Sequence, residues 1–179
     1  MKLLIFSDIH GSGYYANKIK NIVETEKPDK LILLGDLYYH GPRNMLPKEY
    51  NPMHVSEVLN SFKDIILCVK GNCDAEVDEM ISEFPMQEEI EMVIENNVVM
   101  FTHGHKYNMS NLPKKNIDIL VYGHFHTGFI KKQDGMLFLN PGSISLPKEN
   151  TSHSYILWNN NEIMLKDVEG NVIEKRILG

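Results

Sequence analysis

Short apolar runs alternate with polar, glycine-containing segments along most of the chain, which predicts buried strands separated by loops. The clearest run is 31–34, which stops at Gly35-Asp36. A run of that length bounded by glycine suits a strand buried on both faces, although periodicity alone does not exclude a helix. Asp36 would then lie at the carboxyl end of the strand, where open α/β sheets build their sites.

Four further apolar runs also end in groups that can bind a metal ion. Residues 3–6 lead to Asp8-Ile9-His10-Gly11, and Asp8 and His10 would face the same way if the strand pleat continued through them. The other three are 65–69 before Gly71-Asn72, 98–102 before His103-Gly104-His105, and 117–122 before Gly123-His124-Phe125-His126. We therefore expect the loops after five strands to converge on Asp36.

Helical spacing of apolar residues predicts three helices. Ser12 is the expected cap of the first, whose apolar stripe comprises Tyr15, Ala16, Ile19, Ile22 and Val23. The second is expected over 54–62 and a short third over 78–84. Between Asp36 and the second helix, residues 38–52 contain three prolines and predict a long loop, a kind of segment that often carries function.

The remaining patterns predict an antiparallel second half. Residues 89–94 and 98–102 suggest a strand pair that turns at Asn96-Asn97, and Asp134-Gly135 suggests a hairpin turn. Residues 154–177 divide into three short strands, joined by the asparagines at 159–161 and by Gly170-Asn171.

The length and net charge of the chain limit the classes of function that it can have. The 179 residues suffice for one domain, expected to span 1–179, and the net charge of −6 argues against nonspecific binding to nucleic acid or an anionic membrane. No run approaches the ~18 apolar residues of a membrane span, and the first apolar stretch is too short for a signal peptide. Two cysteines, Cys68 and Cys73, cannot form a disulfide framework, which favours a cytoplasmic location.

The groups at the strand ends share a chemistry. Alone, an Asp-x-His pair is better explained by a capping aspartate and a surface histidine, but five ligand-bearing strand ends are hard to explain as packing. Oxygen and imidazole ligands without a thiolate set fit Mn²⁺, Fe²⁺ or Zn²⁺. Cys73 has no second thiolate nearby, which disfavours a soft site there. The ligands outnumber those of one tetrahedral site, so two ions are implied, as in sites that clamp a phosphoryl displacement.

The whole series resembles the calcineurin-like metallophosphoesterase superfamily and, within it, the bacterial YfcE-type phosphodiesterases. The resemblance covers nearly the whole length. It is carried by the five strand-end motifs and by His40-Gly41-Pro42-Arg43-Asn44, Gly71-Asn72-Cys73-Asp74 and Asn140-Pro141-Gly142-Ser143. It implies an α/β (α+β) fold, a four-layer αββα sandwich of two packed mixed β-sheets flanked by helices.

The resemblance also implies a site and an activity. Asp8, His10 and His126 would bind one metal, Asn72, His103 and His124 the other, and Asp36 would bridge them. A hydroxide between two divalent ions, with Mn²⁺ favoured and Fe²⁺ or Zn²⁺ possible, would hydrolyse a small phosphodiester. A homo-oligomer is implied as well, and no membrane or stable nucleic-acid partner is expected.

Two positions depart from the superfamily pattern. Many members carry a general-acid histidine directly after the metal-binding asparagine, where this chain has Cys73, and a thiol is a poorer proton donor to an alkoxide. Phe125 stands where threonine is common, and we expect its side chain to point away from the ligands.

Arg43 would contact phosphate or, alternatively, pair with Glu49. The roles of His40 and His105 are left open.

Two other functions compete with diester hydrolysis. A phosphomonoesterase would use the same two-metal site with a different substrate pocket. A protein-binding scaffold is known on this fold, as in the metallophosphoesterase-like subunit of the retromer coat. All seven ligand positions carry competent residue types, which disfavours the scaffold. A nucleotide, a cyclic nucleotide and a phospholipid headgroup diester all remain open as substrates.

Overall fold

The computed structural model describes all 179 residues. Its three helices are α1 (Gly13–Glu26), α2 (Pro52–Asn60) and α3 (Glu76–Ile81), and a 3₁₀ turn, Lys63–Ile65, precedes the third strand. The strands are β1 (Lys2–Phe6), β2 (Lys30–Leu33), β3 (Ile66–Val69), β4 (Met86–Gln87), β5 (Glu89–Ile94), β6 (Asn97–Thr102), β7 (Ile119–Tyr122), β8 (Gly128–Gln133), β9 (Met136–Pro141), β10 (Ser154–Asn159), β11 (Glu162–Asp167) and β12 (Val172–Ile177). None of the helices has the length and apolarity needed to cross a membrane.

The strands form two mixed sheets. The seven-stranded sheet has the order β12-β11-β10-β1-β2-β3-β4, in which β1 to β4 are parallel and β10 to β12 are antiparallel. The five-stranded sheet has the order β5-β6-β7-β9-β8, with β6, β7 and β9 parallel. Each sheet therefore has a block of parallel strands whose carboxyl ends lie at one edge.

The alternation of side chains along the strands builds the layers. Leu4 and Phe6 of β1 pack with α1 and α2 on the outer face of the seven-stranded sheet. Leu3 and Ile5 point the other way, into a core between the two sheets that also contains the fully buried Trp158. The predicted class, two packed mixed sheets with flanking helices, is confirmed. In detail, the irregular segment 103–118 covers the outer face of the five-stranded sheet.

Most predicted elements are present, with shifted ends. Ser12 caps α1 by accepting the Tyr15 N–H at 3.4 Å. The second helix begins at Pro52, two residues early, because the Asn51 side chain caps it by accepting the His54 N–H. The third helix begins at Glu76 because the Asp78 carboxylate accepts the N–H of its cap residue, Ala75. The short β4 was not predicted.

Two local predictions were wrong by one residue. Ile65 belongs to the 3₁₀ turn and not to the third strand. The turn of the β5–β6 hairpin falls at Glu95-Asn96, because Asn97 pairs with Ile94 and both turn residues adopt positive φ (47° and 64°). The hairpin turn at Asp134-Gly135 and the three tail strands are as predicted.

Candidate metal centre

All seven predicted ligand residues lie in one cluster at the carboxyl ends of parallel strands. Asp8 and His10 follow β1, Asp36 follows β2, and Asn72 follows β3 of the seven-stranded sheet. His103 follows β6, and His124 and His126 follow β7 of the five-stranded sheet. The packing of the two sheets thus brings five loops from distant parts of the sequence together.

Asp8, His10 and His126 form the first group, which we call site 1. The Nε2 atoms of His10 and His126 lie 3.6 Å and 3.4 Å from Asp8 Oδ1, and 3.2 Å from each other. Each ring donates its Nδ1–H to a backbone carbonyl, His10 to Tyr39 at 2.7 Å and His126 to Leu146 at 2.6 Å. With its Nδ1 used in this way, each ring directs Nε2 into site 1, and such second hydrogen bonds are typical of metal-ligating histidines.

Asp8 is oriented by its neighbours toward this group. Its Oδ2 accepts hydrogen bonds from the Ser7 hydroxyl at 2.6 Å and the His124 N–H at 2.9 Å. Its Oδ1, although buried, has no hydrogen-bond partner. A buried carboxylate oxygen without a partner is costly, so an acceptor facing two imidazole lone pairs fits a cation at site 1.

Asp36, Asn72, His103 and His124 form the second group, site 2. His103 donates its Nδ1–H to the Leu34 carbonyl at 2.6 Å, which leaves Nε2 directed into site 2. That Nε2 lies 3.0 Å from Asn72 Oδ1, 3.2 Å from His124 Nδ1 and 3.4 Å from Asp36 Oδ1. Two imidazole nitrogens and two oxygens therefore converge, a donor set suited to a borderline divalent cation.

Asp36 lies between the two sites. Its Oδ2 is 3.8 Å from His10 Nε2 of site 1, and its Oδ1 is 3.4 Å from His103 Nε2 of site 2. The Cys73 N–H donates to Oδ1 at 2.8 Å. One carboxylate oxygen thus faces each group of nitrogens.

Five of the seven residues adopt a left-handed backbone conformation that non-glycine residues rarely use. The φ angles are 56° for Asp8, 51° for His10, 55° for Asp36, 66° for His124 and 62° for His126. The β1 pleat does not continue through Asp8 and His10, since the strand ends at Phe6, and the left-handed conformations bring the two side chains together instead. Such conformations cost roughly 1–3 kcal/mol each and persist where surrounding contacts enforce them. Here the Asp8 and His10 N–H groups donate to the carbonyls of Gly35 and Asp36.

Two glycines let the backbone approach the carboxylates. A Cβ at Gly71 would lie 2.1 Å from Asp36 Oδ1, and one at Gly123 would lie 1.8 Å from Ser7 Oγ and 2.8 Å from Asp8 Oδ2. Any larger side chain at either position would displace a candidate ligand.

Three supporting residues were missed as functional by the sequence analysis. The buried Asp74 carboxylate accepts the N–H groups of Gly71, Asp36 and Leu37 at 2.7–2.8 Å and so joins the loops after β2 and β3. The Ser143 and Ser145 hydroxyls both donate to the Asp8 carbonyl, at 2.7 Å and 2.9 Å. Asp74 and Ser143 lie in stretches that carried the family resemblance, but their partners come from other loops and no local pattern identifies them.

The pKa shifts of the candidate ligands reflect the close packing of carboxylates and imidazoles. Burial opposes ionisation of Asp8, but the adjacent imidazoles of His10 and His126 outweigh it and hold the Asp8 pKa well below its usual range. Burial would lower the His103 pKa, yet the carboxylates of Asp36 and Asp8 raise it to about 9. Burial and the neighbouring His103 lower the His124 pKa to about 4. Without a cation, site 2 thus favours a proton on His103 while His124 stays neutral.

Cys73 sits beside the two sites as a thiol. Its sulfur and ligand atoms of His10 and Asp36 all lie within 4.8 Å of one another. Burial and the negative charge of Asp36 raise the Cys73 pKa to about 12. At neutral pH the side chain is therefore protonated, a form that binds metal poorly.

A cavity of about 730 Å³ opens over Asp36 and both sites. Arg43, Asn44 and Lys148 line it together with Cys73. Arg43 is exposed and forms no ion pair with Glu49, so the alternative role considered for it is not observed. Two cationic side chains therefore border a cavity that has a single acidic residue, Asp36, in its lining, which suits a bound anion.

The other singled-out residues lie around this centre. The exposed His105 ring lies 5.5 Å from that of His103, centroid to centroid. The His40 carbonyl accepts a hydrogen bond from the Asn44 amide, and its Nδ1 is buried without a partner. Phe125 is 47% exposed, and its ring lies 6.0 Å from that of Tyr122 and 5.2 Å from that of the candidate ligand His124, centroid to centroid.

Comparison with known proteins agrees with this geometry. A model of the calcineurin-like phosphoesterase superfamily domain matches residues 1–162. Phosphodiesterase YfcE of Escherichia coli is 40% identical over 162 residues, covering 89% of this chain and 88% of the relative. The probable metallophosphoesterase YsnB of Bacillus subtilis is 28% identical and covers 97% and 95% of the two chains.

Comparison with solved structures also shows similarity to phosphoesterases. The structure of Yfce, a phosphoesterase from E. coli, superimposes with a TM-score of 0.96, 35% identity and full coverage of both chains. Wild-type Vps29 from Entamoeba histolytica, complexed with Zn²⁺, has a TM-score of 0.60 and 20% identity over 99% of each chain, and shows the fold alone. From the family match and the similarity to YfcE, the chain belongs to the calcineurin-like phosphoesterase superfamily.

Proposed function

We propose that this protein is a phosphodiesterase that works with two divalent cations. Asp8, His10 and His126 would bind one, Asn72, His103 and His124 the other, and Asp36 would contact both. The single observation that carries the proposal is the placement of Asp36, with one carboxylate oxygen facing the free nitrogens of each site. A lone structural carboxylate would not require imidazole nitrogens grouped on both sides of it.

The donor set narrows the choice of cation. The ligands are carboxylate, amide and imidazole groups, and the one nearby thiol is held protonated. Mn²⁺ is our first choice, with Fe²⁺ and Zn²⁺ as alternatives, because these ions accept mixed oxygen and nitrogen ligands. When bound, a pair of such ions would activate water for attack on phosphorus and offset charge on the phosphoryl oxygens.

The chain's own residues would bind and orient the ester. Arg43 and Lys148 border the cavity and would each donate to a non-bridging phosphate oxygen. The Tyr39, Leu34 and Leu146 carbonyls hold three of the imidazoles in one tautomer and one orientation. The substrate class follows the relative named phosphodiesterase YfcE, and the cavity leaves room for a small diester rather than a polymer.

The phosphomonoesterase and the scaffold remain the competing functions. A monoesterase would use the same sites, so only the substrate preference separates it from a diesterase. The scaffold does not explain why the site residues hold a strained backbone and unpaired lone pairs, which cost stability without a cation.

The deciding experiment uses metal-stripped protein. Mn²⁺, Fe²⁺ or Zn²⁺ is added back, bound metal is counted, and hydrolysis of bis(4-nitrophenyl) phosphate is compared with that of 4-nitrophenyl phosphate. We expect two ions per chain, activity only with metal, and faster hydrolysis of the diester. His126→Ala should lose metal and activity, whereas His54→Ala, which changes a half-buried histidine on α2 that is not a candidate ligand, should not. Metal-loaded protein that hydrolyses neither compound would favour the scaffold.

We also propose that residues 1–179 form a single domain. The family match ends at residue 162, but β11 and β12 continue the seven-stranded sheet beyond that point. Glu174 of β12 also accepts the Ile130 N–H of the other sheet at 3.1 Å, which ties the tail to both sheets.

A further inference from the structure

An apolar recess of about 300 Å³ adjoins the cavity over the metal centre. Tyr38, Tyr39, Tyr50 and Val77 are four of its eight lining residues. Tyr39 and Cys73, together with Ala75, line both the recess and the cavity. The two spaces therefore meet at Cys73, and a molecule held in one can extend into the other.

The junction is close to the reacting centre. The Cys73 sulfur lies within 4.8 Å of an Asp36 carboxylate oxygen. A phosphate held over Asp36 would thus have one ester oxygen near Cys73, and the group attached to that oxygen would point into the recess. A phosphomonoester can present only one organic group to the whole site, whereas a diester can fill the recess and still extend toward solvent.

The recess differs in polarity from the cavity. No lysine or arginine lines it, and its one charged group, Asp78, already accepts the Ala75 N–H at 2.7 Å. The Tyr38 hydroxyl is paired with Ser82 at 2.7 Å. The surfaces left for a ligand are aromatic rings and the Val77 side chain, which is 61% exposed. An anionic group would gain nothing there, and a flat apolar group would gain contact area.

His40 packs between two of the rings that form the wall. Its ring centroid lies 4.9 Å from that of Tyr39 and 5.5 Å from that of Tyr50, with steep interplanar angles of 61° and 89°. These edge-to-face contacts fix the spacing of the two tyrosines, so the recess is largely formed before a ligand binds.

We propose that this recess binds an aromatic ester group of the substrate, on the Cys73 side of phosphorus. The inference rests on the proposed function, because it places the phosphate over Asp36. It assigns Tyr39 and Val77 as residues that select the ester group, and neither is a candidate metal ligand. Their exposed side chains can be changed with little effect on the fold, since Tyr39 is 42% exposed and contacts His10 through its carbonyl.

The test measures binding without turnover. The ligands are two phosphonates, monomethyl benzylphosphonate and monomethyl ethylphosphonate. In each, a methylene replaces the ester oxygen on the recess side, and the methyl ester on the other side is kept. Both are titrated calorimetrically into Mn²⁺-loaded protein. We expect the benzyl compound to bind about tenfold more tightly than the ethyl compound, the range of one buried aromatic contact. In Tyr39→Ala and Val77→Ser this preference should fall to about threefold or less. In Val77→Ser, which changes a residue of the recess alone, the affinity for the ethyl compound should be unchanged. Val93→Ser, at a 70% exposed valine on β5, is the matched control and should keep the full preference.

The outcomes separate this inference from the proposed function. Equal affinity for the two phosphonates in wild-type protein, or an unchanged preference in both recess variants, would overturn the recess assignment alone. Binding of neither compound by metal-loaded protein would overturn the proposed function together with the recess.

Discussion

The Nε2 atoms of His10 and His126 lie 3.2 Å apart, and each ring donates its Nδ1–H to a backbone carbonyl, so with no further proton both Nε2 atoms carry lone pairs. Two lone pairs at that distance repel each other, and Asp8 Oδ1 beside them has no donor either. A cation or an added proton between His10 Nε2, His126 Nε2 and Asp8 Oδ1 would give all three atoms a favourable partner. The fold therefore holds an arrangement that is unfavourable until a positive charge enters it, which leads directly to the first prediction.

Metal binding should be stronger at higher pH. The His103 pKa of about 9 means that this ring tends to carry a proton without metal and must lose it to bind a cation, and the raised His10 pKa acts in the same direction. The affinity for Mn²⁺ should thus fall as the pH drops below about 9, by about tenfold per unit for each proton displaced. Calorimetric titration in buffers of different ionisation enthalpy would count the protons. Affinity that does not vary between pH 6 and 8 would contradict the ligand assignment.

Asp36→Asn should remove most of the activity while the fold survives. The amide offers one neutral carbonyl oxygen where an anionic carboxylate faced both sites, and its NH₂ group would meet the Cys73 N–H or an imidazole lone pair. Metal content and turnover of a phosphodiester should both fall. Near-wild-type turnover with two bound metals would show that Asp36 does not bridge.

Asp74→Ala should destabilise the protein and loosen the centre without removing a ligand. Three buried N–H groups would lose their acceptor, a loss of roughly 2–5 kcal/mol at 1–3 kcal/mol each with partial relaxation. Denaturant unfolding of the metal-free variant would measure this. Asp64→Ala, in the 3₁₀ turn, is the control and should change stability little. Equal stability of the two variants would show that Asp74 is not needed to join the loops.

The sequence predicted the strands and the ligand residues better than it predicted how they are held. Apolar runs ending in Gly35-Asp36 or Gly123-His124 are local signals, and each marks a real strand end. The left-handed conformation of Asp8 could not be read from its neighbours, because it is enforced by the Gly35 carbonyl from another strand. The support from Ser143 and the recess at Tyr39 depend likewise on contacts between distant segments.

Arg43→Ala should lower kcat/KM and leave the metal content unchanged. The exposed guanidinium borders the cavity and forms no ion pair, so its removal should cost only its contact with the phosphate. A loss of about 1.5–3 kcal/mol in transition-state stabilisation is expected, the range for a hydrogen bond to a charged group. Arg176→Ala, at the only other arginine, lies on β12 and is the matched control. Identical kinetics for the two variants would exclude phosphate contact by Arg43.

Replacement of Cys73 tests whether the site lacks a general acid. The thiol has its pKa raised to about 12 by burial and by Asp36, so it gives up a proton poorly at neutral pH. A leaving group must then depart with little assistance, and the rate should fall steeply as the pKa of the departing alcohol rises. A series of substituted phenyl esters isolates this effect, because all of them fit the aromatic recess and differ mainly in leaving-group pKa.

Cys73→His should flatten that dependence. An imidazolium can donate a proton near neutral pH, and general acid catalysis contributes about 10²–10⁴-fold, so the slowest esters should gain most. Cys73→Ser keeps the size but adds no acid, and it should keep the steep slope. Metal analysis must accompany the kinetics, because His10 and Asp36 are close enough for a new imidazole to bind the cation. A fully metallated Cys73→His protein with the wild-type slope would show that the missing imidazole does not set the substrate preference, which would leave that role to the recess formed by Tyr39, Tyr50 and Val77.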